Sequence, residues 1–223
     1  MSALSAEVLP RCKTRQKICA RNNHLTPQPI ERFGYEHWQS IVPNYYCIKM
    51  DEVIITQYNP NWVISFEQES ACIRAVLDRD FVTRIEHFGS TAIPGLAAKP
   101  IIDLLIGVRS LAEAKQVAVS PLEQLGYAYW LENPDPQRMF FVKGLPPNSP
   151  RTHHIHMVEP DSVLWERLIF RDYLCKHPDE AARYAQLKYN LAQRFSSDRE
   201  AYTAGKAEYI NSVMQKARQQ PTS

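Results

Sequence analysis

Two short stretches of this chain hold residue types able to act on a phosphate. In the first, Ile85 to Ile106, an apolar run ends in Gly89-Ser90, a Pro94-Gly95 turn follows, and a second apolar run carries Asp103 near its start. A strand that ends in Gly-Ser and turns into a helix presents backbone N–H groups and a hydroxyl to a phosphate, and the glycine lets the backbone approach closely. An aspartate on the next strand can hold a divalent cation against that phosphate. A carboxylate inside an apolar run is costly unless it is paired or bound to metal; the alternative to a metal is a buried ion pair of Asp103 with Lys99, Arg84 or Arg151. The second stretch is Arg151-Thr152-His153-His154-Ile155-His156. On a strand, His154 and His156 share one face. With Asp103 they would compose a two-histidine, one-carboxylate set suited to Zn, Mn or Fe. Structural hydrogen bonding, or phosphate binding as imidazolium, is the alternative. Glu159 lies one strand repeat beyond, as an outer acid or a solvated residue. Lys99, Arg84, Arg138, Lys143 and Arg151 flank these strands and could neutralise phosphate.

These residues need a sheet to hold them. Asn61 with Trp62, Phe66, Ile73, Val76 and Leu77 predicts a helix over 61–78. Residues 81–88 alternate as a strand, 90–98 should form a tight helical turn around Pro94-Gly95, and 100–108 read as a buried central strand. Ser110-Leu111-Ala112-Glu113 predicts a capping box, Ser110 capping and Glu113 reaching back, for a helix that ends at Gly126. Strands are expected over 127–132, 138–143 and 151–158, the last two separated by the Pro146-Pro147-Asn148-Ser149-Pro150 loop. Beyond Asp161 the chain reads as helical, with breaks near His177-Pro178 and Ser196-Ser197. Pro178 suits a first helical turn, and Ser197 with Glu200 predicts a second capping box. Trp62, Phe66 and Trp165 are assigned to packing. The order predicts an α+β fold: a mixed sheet with C-terminal helices packed on it.

Gly89-Ser90-Thr91, Pro94-Gly95-Leu96-Ala97-Ala98-Lys99-Pro100 and Ile101-Ile102-Asp103 together resemble the signature of the GrpB family. Tyr58-Asn59-Pro60-Asn61-Trp62, Phe66-Glu67, the histidine stretch with Val158-Glu159, Phe170-Arg171-Asp172-Tyr173-Leu174, His177-Pro178 and Leu187-Lys188 fit the same pattern, over about residues 52–215. The resemblance implies a nucleotidyltransferase-like, polymerase-beta-like fold and kinship with a domain appended to some bacterial dephospho-CoA kinases. It implies that Gly89 and Ser90 cradle phosphates and that Asp103 holds Mg or Mn, with Zn as another option. His154 or His156 would act as ligand or base, and Lys99, Arg151, Arg171 and Lys188 would bind substrate. Arg171, Asp172, Tyr173, Lys188, Tyr202 and Lys206 recur in its helical motifs, either against the nucleotide or as struts between helix and sheet. One departure stands out: the superfamily places two acids on one face of the strand, and here the second position is Leu105. Glu159 and Glu86 are the nearest substitutes by strand placement, and a one-metal site or a binding function, rather than two-metal chemistry, is expected.

Three functions are compatible with this pattern: a nucleotidyltransferase that moves a nucleotide from a triphosphate to an acceptor, a non-catalytic module that binds a nucleotide or coenzyme, and a metal-dependent hydrolase built on Asp103, His154 and His156. With 223 residues, composition argues for one domain plus an extension, and a formal net charge of +2 is too small to indicate nucleic acid as a partner. A nucleotide or other phosphate-bearing small molecule is the expected ligand. No apolar run approaches the roughly 18 residues of a membrane span. The five cysteines, Cys12, Cys19, Cys47, Cys72 and Cys175, are odd in number and include no CxxC. Cys72 and Cys175 are expected as reduced thiols on helices, and a cytoplasmic location follows. Residues 1–49, with Arg11, Lys13, Arg15, Lys17 and Arg21, read as an extension, either a flexible arm or a misassigned start ahead of Met50. Residues 50–218 form the expected domain and 219–223 a tail.

Overall fold

The computed structural model describes residues 52–145 and 149–219. The expectations for residues 1–49, for Cys12, Cys19 and Cys47, for most of the Pro146–Pro150 loop and for all but the first residue of the tail lie outside the described residues. Helix α1 (Asn61–Val76) precedes strand β1 (Val82–Phe88), a 3-10 turn (Ser90–Ala92) and strand β2 (Ile102–Val108). Helices α2 (Leu111–Val117) and α3 (Val119–Gln124) lead to strands β3 (Tyr127–Tyr129), β4 (Met139–Lys143) and β5 (His153–Val158). A 3-10 turn (Val163–Glu166) then opens four helices: α4 (Arg167–Lys176), α5 (Pro178–Arg194), α6 (Arg199–Ala204) and α7 (Ala207–Gln219). The strands form one mixed sheet in the order β1-β2-β5-β4-β3, parallel only between β2 and β5. No described helix is long and apolar enough to cross a membrane.

Alternation along the strands gives the sheet two unlike faces. Ile85, Leu104, Ile106, Ile155, Met157, Met139 and Phe141 form one face and pack with Trp62 and Ile73 of α1 and with Ala114, Ala118 and Leu122 of α2 and α3. Glu69 of α1 is buried on this side. Lys143 of β4 donates to both of its carboxylate oxygens at 2.8 and 2.9 Å, clamping α1 to the far side of the sheet. The opposite face carries Glu86, Phe88, Asp103, Leu105, Phe140, His154 and His156. Phe88, Leu105 and Val158 pack there against Leu168 of α4. Ile93 and Leu96, after the first turn, pack against Phe170, Leu174, Tyr184, Val213 and Met214, so the segment between β1 and β2 lies wedged against α4, α5 and α7.

Local chemistry corrects three sequence expectations. The helix predicted to run unbroken to Gly126 breaks at Ala118. Pro121 has no N–H to return to Val117, so the α-helical ladder is interrupted there. Ser110 does cap α2 by accepting from Glu113 N, but Glu113 does not reach back; it pairs with Arg109, and Leu111 N donates instead to Glu159 Oε1 at 2.8 Å. The cap of α6 is Asp198, not Ser197: the carboxylate accepts from Ala201 N at 2.9 Å, the stronger acceptor taking the position one residue on. Pro178 opens α5 as expected, and Cys72 and Cys175 sit on α1 and α4 without a disulfide.

His87 joins the two halves of this frame. Its ring stacks on Phe66 of α1 with centroids 4.6 Å apart and planes inclined by 8°. Thr91 Oγ1 lies 3.0 Å from His87 Nε2 and itself donates to Ile101 O, which fixes Nε2 as the protonated nitrogen. Burial, with Arg171 nearby and against the pull of Asp103, lowers the His87 pKa from 6.5 to about 4. Between those values the unfolded chain binds a proton that the fold refuses. The stability contributed by the neutral ring is therefore complete above 6.5 and is lost as pH falls toward 4. His87→Gln keeps a donor for Thr91 and does not titrate. In urea unfolding series, the variant is expected to lose less stability than the parent between pH 6.5 and 4; parallel losses would exclude His87 as the titrating group.

Candidate functional site

Register brings the sequence-predicted ligands together. Parallel pairing sets Asp103 opposite His154 and Leu105 opposite His156, so all four side chains rise from the same face. His154 Nδ1 lies 3.2 Å from Asp103 Oδ1, and His156 Nε2 lies 3.9 Å from the same oxygen. One ligand atom from each of the three residues falls within 4.8 Å of the others, a group able to close on a single cation. Phe88 and Phe140 wall the imidazoles, their ring centroids 5.0 and 4.8 Å from that of His156. Burial alone would raise the Asp103 carboxyl, but the hydrogen bond from His154 and the attraction of His156, 3.9 Å away, outweigh it and hold the group well below the usual carboxylate range. Burial lowers His156, against the opposing pull of Asp103. The ion pair considered for Asp103 with Lys99, Arg84 or Arg151 is therefore replaced by two imidazoles.

The tautomers follow from the neighbours. Arg138 Nη1 lies 3.2 Å from His156 Nδ1. A guanidinium only donates, so Nδ1 accepts and His156 Nε2 carries the proton toward Asp103. His154 Nδ1–H points at the carboxylate, leaving Nε2 as a buried nitrogen with no hydrogen-bond partner among the described residues. Asp103 thus orients one imidazole whose far nitrogen is a lone-pair site, the arrangement of a base, while both near nitrogens converge as metal ligands would.

Gly89 makes room for the carboxylate. Its φ of 75° and ψ of −172° belong to a region essentially reserved for glycine, and a Cβ there would collide with Asp103 Oδ2. Ser90 begins the following turn and lies beside the Tyr184 hydroxyl of α5. Leu105 is fully buried in the apolar cluster under α4, so nothing at that position can replace the missing acid. Neither proposed substitute is available. Arg171 Nη1 and Arg84 Nε hold Glu86 at 2.9 and 2.8 Å, and Glu159 caps α2. Arg171 also donates to His87 O and to Asp172, tying α4 to the edge of β1. Lys188 is buried on α5 and donates to Ala97 O. Lys99, half-buried just before β2, and Arg151, half-buried just before β5, act electrostatically on one another. Sequence reading missed Tyr184 and Phe140. Strand alternation from Met139 could have found Phe140, but nothing local marks Tyr184.

A family model described as GrpB protein matches residues 52–216. The chain belongs to the GrpB family. A UPF0157 protein of Pseudomonas aeruginosa is 44% identical over 193 residues, covering 86% of this chain and 75% of that protein. The crystal structure of the conserved protein GrpB from Enterococcus faecalis superimposes with a TM-score of 0.66 at 35% identity, covering 74% of this chain and 96% of that one. A dephospho-CoA kinase of Mycolicibacterium paratuberculosis is 32% identical over 158 residues, 60% of this chain and 38% of the kinase. The mixed α+β architecture with C-terminal helices is thus a GrpB architecture.

Within this GrpB fold, Gly89→Ala should destabilise by about 2 kcal/mol or more, since it combines a forbidden backbone conformation with a clash. Gly95, at φ +77° with nothing near its absent Cβ, is the control and should cost less as alanine. Equal shifts in the urea midpoints would refute the close approach of residue 89 to Asp103.

Proposed function

We propose that this GrpB protein is an enzyme that acts on a phosphate-bearing nucleotide with the help of one divalent cation, transferring the nucleotide to an acceptor. The convergence of Asp103, His154 and His156 on one sheet face carries this reading. One carboxylate oxygen and two imidazole nitrogens suit Mn, Zn or Fe, and the carboxylate also suits Mg when phosphate oxygens complete the shell. A bound cation would supply Lewis-acid polarisation of a phosphoryl oxygen. Asp103, His154 and His156 would hold it, and the Gly89-Ser90 turn would offer backbone N–H groups to the phosphate. Transfer from a nucleoside triphosphate forms a bond from the acceptor oxygen to the α-phosphorus and breaks the bond to the leaving pyrophosphate; the acceptor proton needs a base. His154 Nε2 is the candidate when Nδ1–H stays on Asp103. The same ring cannot hold a cation through Nδ1 and act as that base, so His154 takes one role at a time. With Leu105 buried and both Glu86 and Glu159 engaged, the residues on this face support one cation rather than two.

A second reading, hydrolysis with water as the acceptor, is favoured by the pair of imidazoles, a donor set that suits a tightly held transition metal. Metal analysis of the purified protein separates the two. Tight Zn, Mn or Fe without nucleotide supports hydrolysis, and weak Mg taken up only with a nucleoside triphosphate supports transfer.

The Arg138 contact generates a sharper test. A cation held by His156 Nε2 would leave the ring proton on Nδ1, where it would face the Arg138 donor. Ligating histidines ordinarily donate that second N–H to an acceptor. Arg138→Gln, which can present an oxygen, should therefore tighten cation binding about tenfold by calorimetry, within the range that outer-shell partners exert. Asp103→Asn should abolish that binding while the circular dichroism stays that of the parent. Unchanged cation uptake in Asp103→Asn would overturn the metal reading.

A further inference from the structure

Three lysines gather beside the site without an acid to match them. Lys99 Nζ lies 5.1 Å and Lys206 Nζ 4.4 Å from the centroid of the Tyr202 ring, so two ammonium groups share one buried phenol. Lys188 Nζ lies 4.8 Å from the centroid of the Tyr184 ring, and its side chain is 1% exposed. They come from three places: the approach to β2, helix α5, and the turn between α6 and α7. Among the described residues, none of the three is within salt-bridge distance of a carboxylate. Other half-buried cations of the fold do have an acid: Lys143 pairs with Glu69 and Arg171 with Glu86. The acid that acts on Lys99 and Lys206 is Asp103, which is already engaged by two imidazoles. Arg199 and Arg151 add positive potential at Lys99, and Arg199 and Arg167 at Lys206.

Like charges gathered in a partly desolvated place repel, and each ammonium has more donors than the fold uses. Burial first, then the neighbouring cations, and at Lys206 against the pull of Asp103, pushes Lys99 and Lys188 down to about 7 and Lys206 to about 8, so an arriving anion would draw protons onto them. Ser90 touches Tyr184, whose ring Lys188 covers, so the cluster abuts the Gly89-Ser90 turn and Asp103 beyond it.

We infer that Lys99 and Lys206 on Tyr202, backed by the buried charge of Lys188 on Tyr184, form a cradle for a linear polyphosphate chain running toward the Gly89-Ser90 turn. Two half-buried cations with a third charge behind them match an anion with several charges along its length better than a single phosphate. The direction of the chain rests on the reading of Asp103 as the reacting end; binding of the anion does not. Lysine, a compact and strongly hydrated charge with three donors, suits an extended phosphate chain. The polyphosphate is either the tail of a nucleoside triphosphate or a free inorganic chain.

Calorimetric titration of the full chain in EDTA isolates the cradle from any cation. Tripolyphosphate is expected to bind at least tenfold more tightly than orthophosphate. Lys206→Met and Lys99→Met should each weaken tripolyphosphate binding at least tenfold. They should also raise the melting temperature of the ligand-free protein, because each removes one of the repelling charges. A purely structural lysine would show the reverse, a lower melting temperature and an unchanged affinity. Asp103→Asn should keep metal-free tripolyphosphate binding, so loss of cation uptake in that variant and loss of the cradle are read separately. A nucleoside triphosphate that loses affinity in both lysine variants points to the nucleotide as source, and a response confined to tripolyphosphate points to the inorganic chain; either supports the cradle. Should Lys206→Met fail to fold, Lys99→Met, whose side chain is only half-buried, carries the same comparison. Equal affinity for tripolyphosphate and orthophosphate, or unchanged affinity in the folded lysine variants, overturns the inference.

Discussion

The parallel pairing of β2 with β5 is the constraint on which the rest depends. Six residues of each strand face one another, Ile102 to Gly107 against His153 to Val158. Because side chains alternate, this register sends Leu104, Ile106, Ile155 and Met157 into the core and Asp103, His154 and His156 to the other face. A slip by one residue would bury three polar groups under α1 and expose the apolar set. The hydrophobic effect that fixes the core therefore also fixes the spacing of the carboxylate and the imidazoles. The site needs no separate means of alignment, and its precision is inherited from the packing of the opposite face.

The two faces solve their electrostatics differently. Under α1, Glu69 and Lys143 form a close bidentate pair that leaves little net charge. On the site face, Asp103 lies among cations and potential cations: one imidazole at hydrogen-bonding distance, a second 3.9 Å away, and Lys99 and Lys206 near enough to act on it. The balance there is positive. Charge on the first side is closed and serves the scaffold, whereas on the second it is left uncompensated beside the Gly89-Ser90 turn.

Much of this was legible in the sequence because it is local. Alternation placed His154 and His156 together, Asp103 stood out inside an apolar run, and strand ends fell within a few residues of expectation. Errors arose where two local signals competed. Asp198 outcompeted Ser197 as a cap, Pro121 broke a helix that periodicity carried through, and Glu159 served the N-terminus of α2 rather than standing as an acid near the site. What the sequence could not reveal depends on distant parts of the chain meeting. Lys99 and Lys206 meet at one ring only because α6 returns to the segment before β2, and the burial of Lys188 depends on a carbonyl at Ala97. No spacing rule connects such residues; only the packing of the C-terminal helices does.

The strand order has a consequence for how the chain is made. β1 and β2 are neighbours in sequence and pair antiparallel, so they can form as soon as they are synthesised. β5 must then enter between β2 and β4, with the β3–β4 hairpin already emerged beside it. Asp103 precedes His154 by 51 residues. During translation the carboxylate exists first, on a sheet edge, with no imidazole beside it. The last central strand to emerge supplies both rings in a single event, so a nascent chain carries either none of the histidine half of the site or all of it.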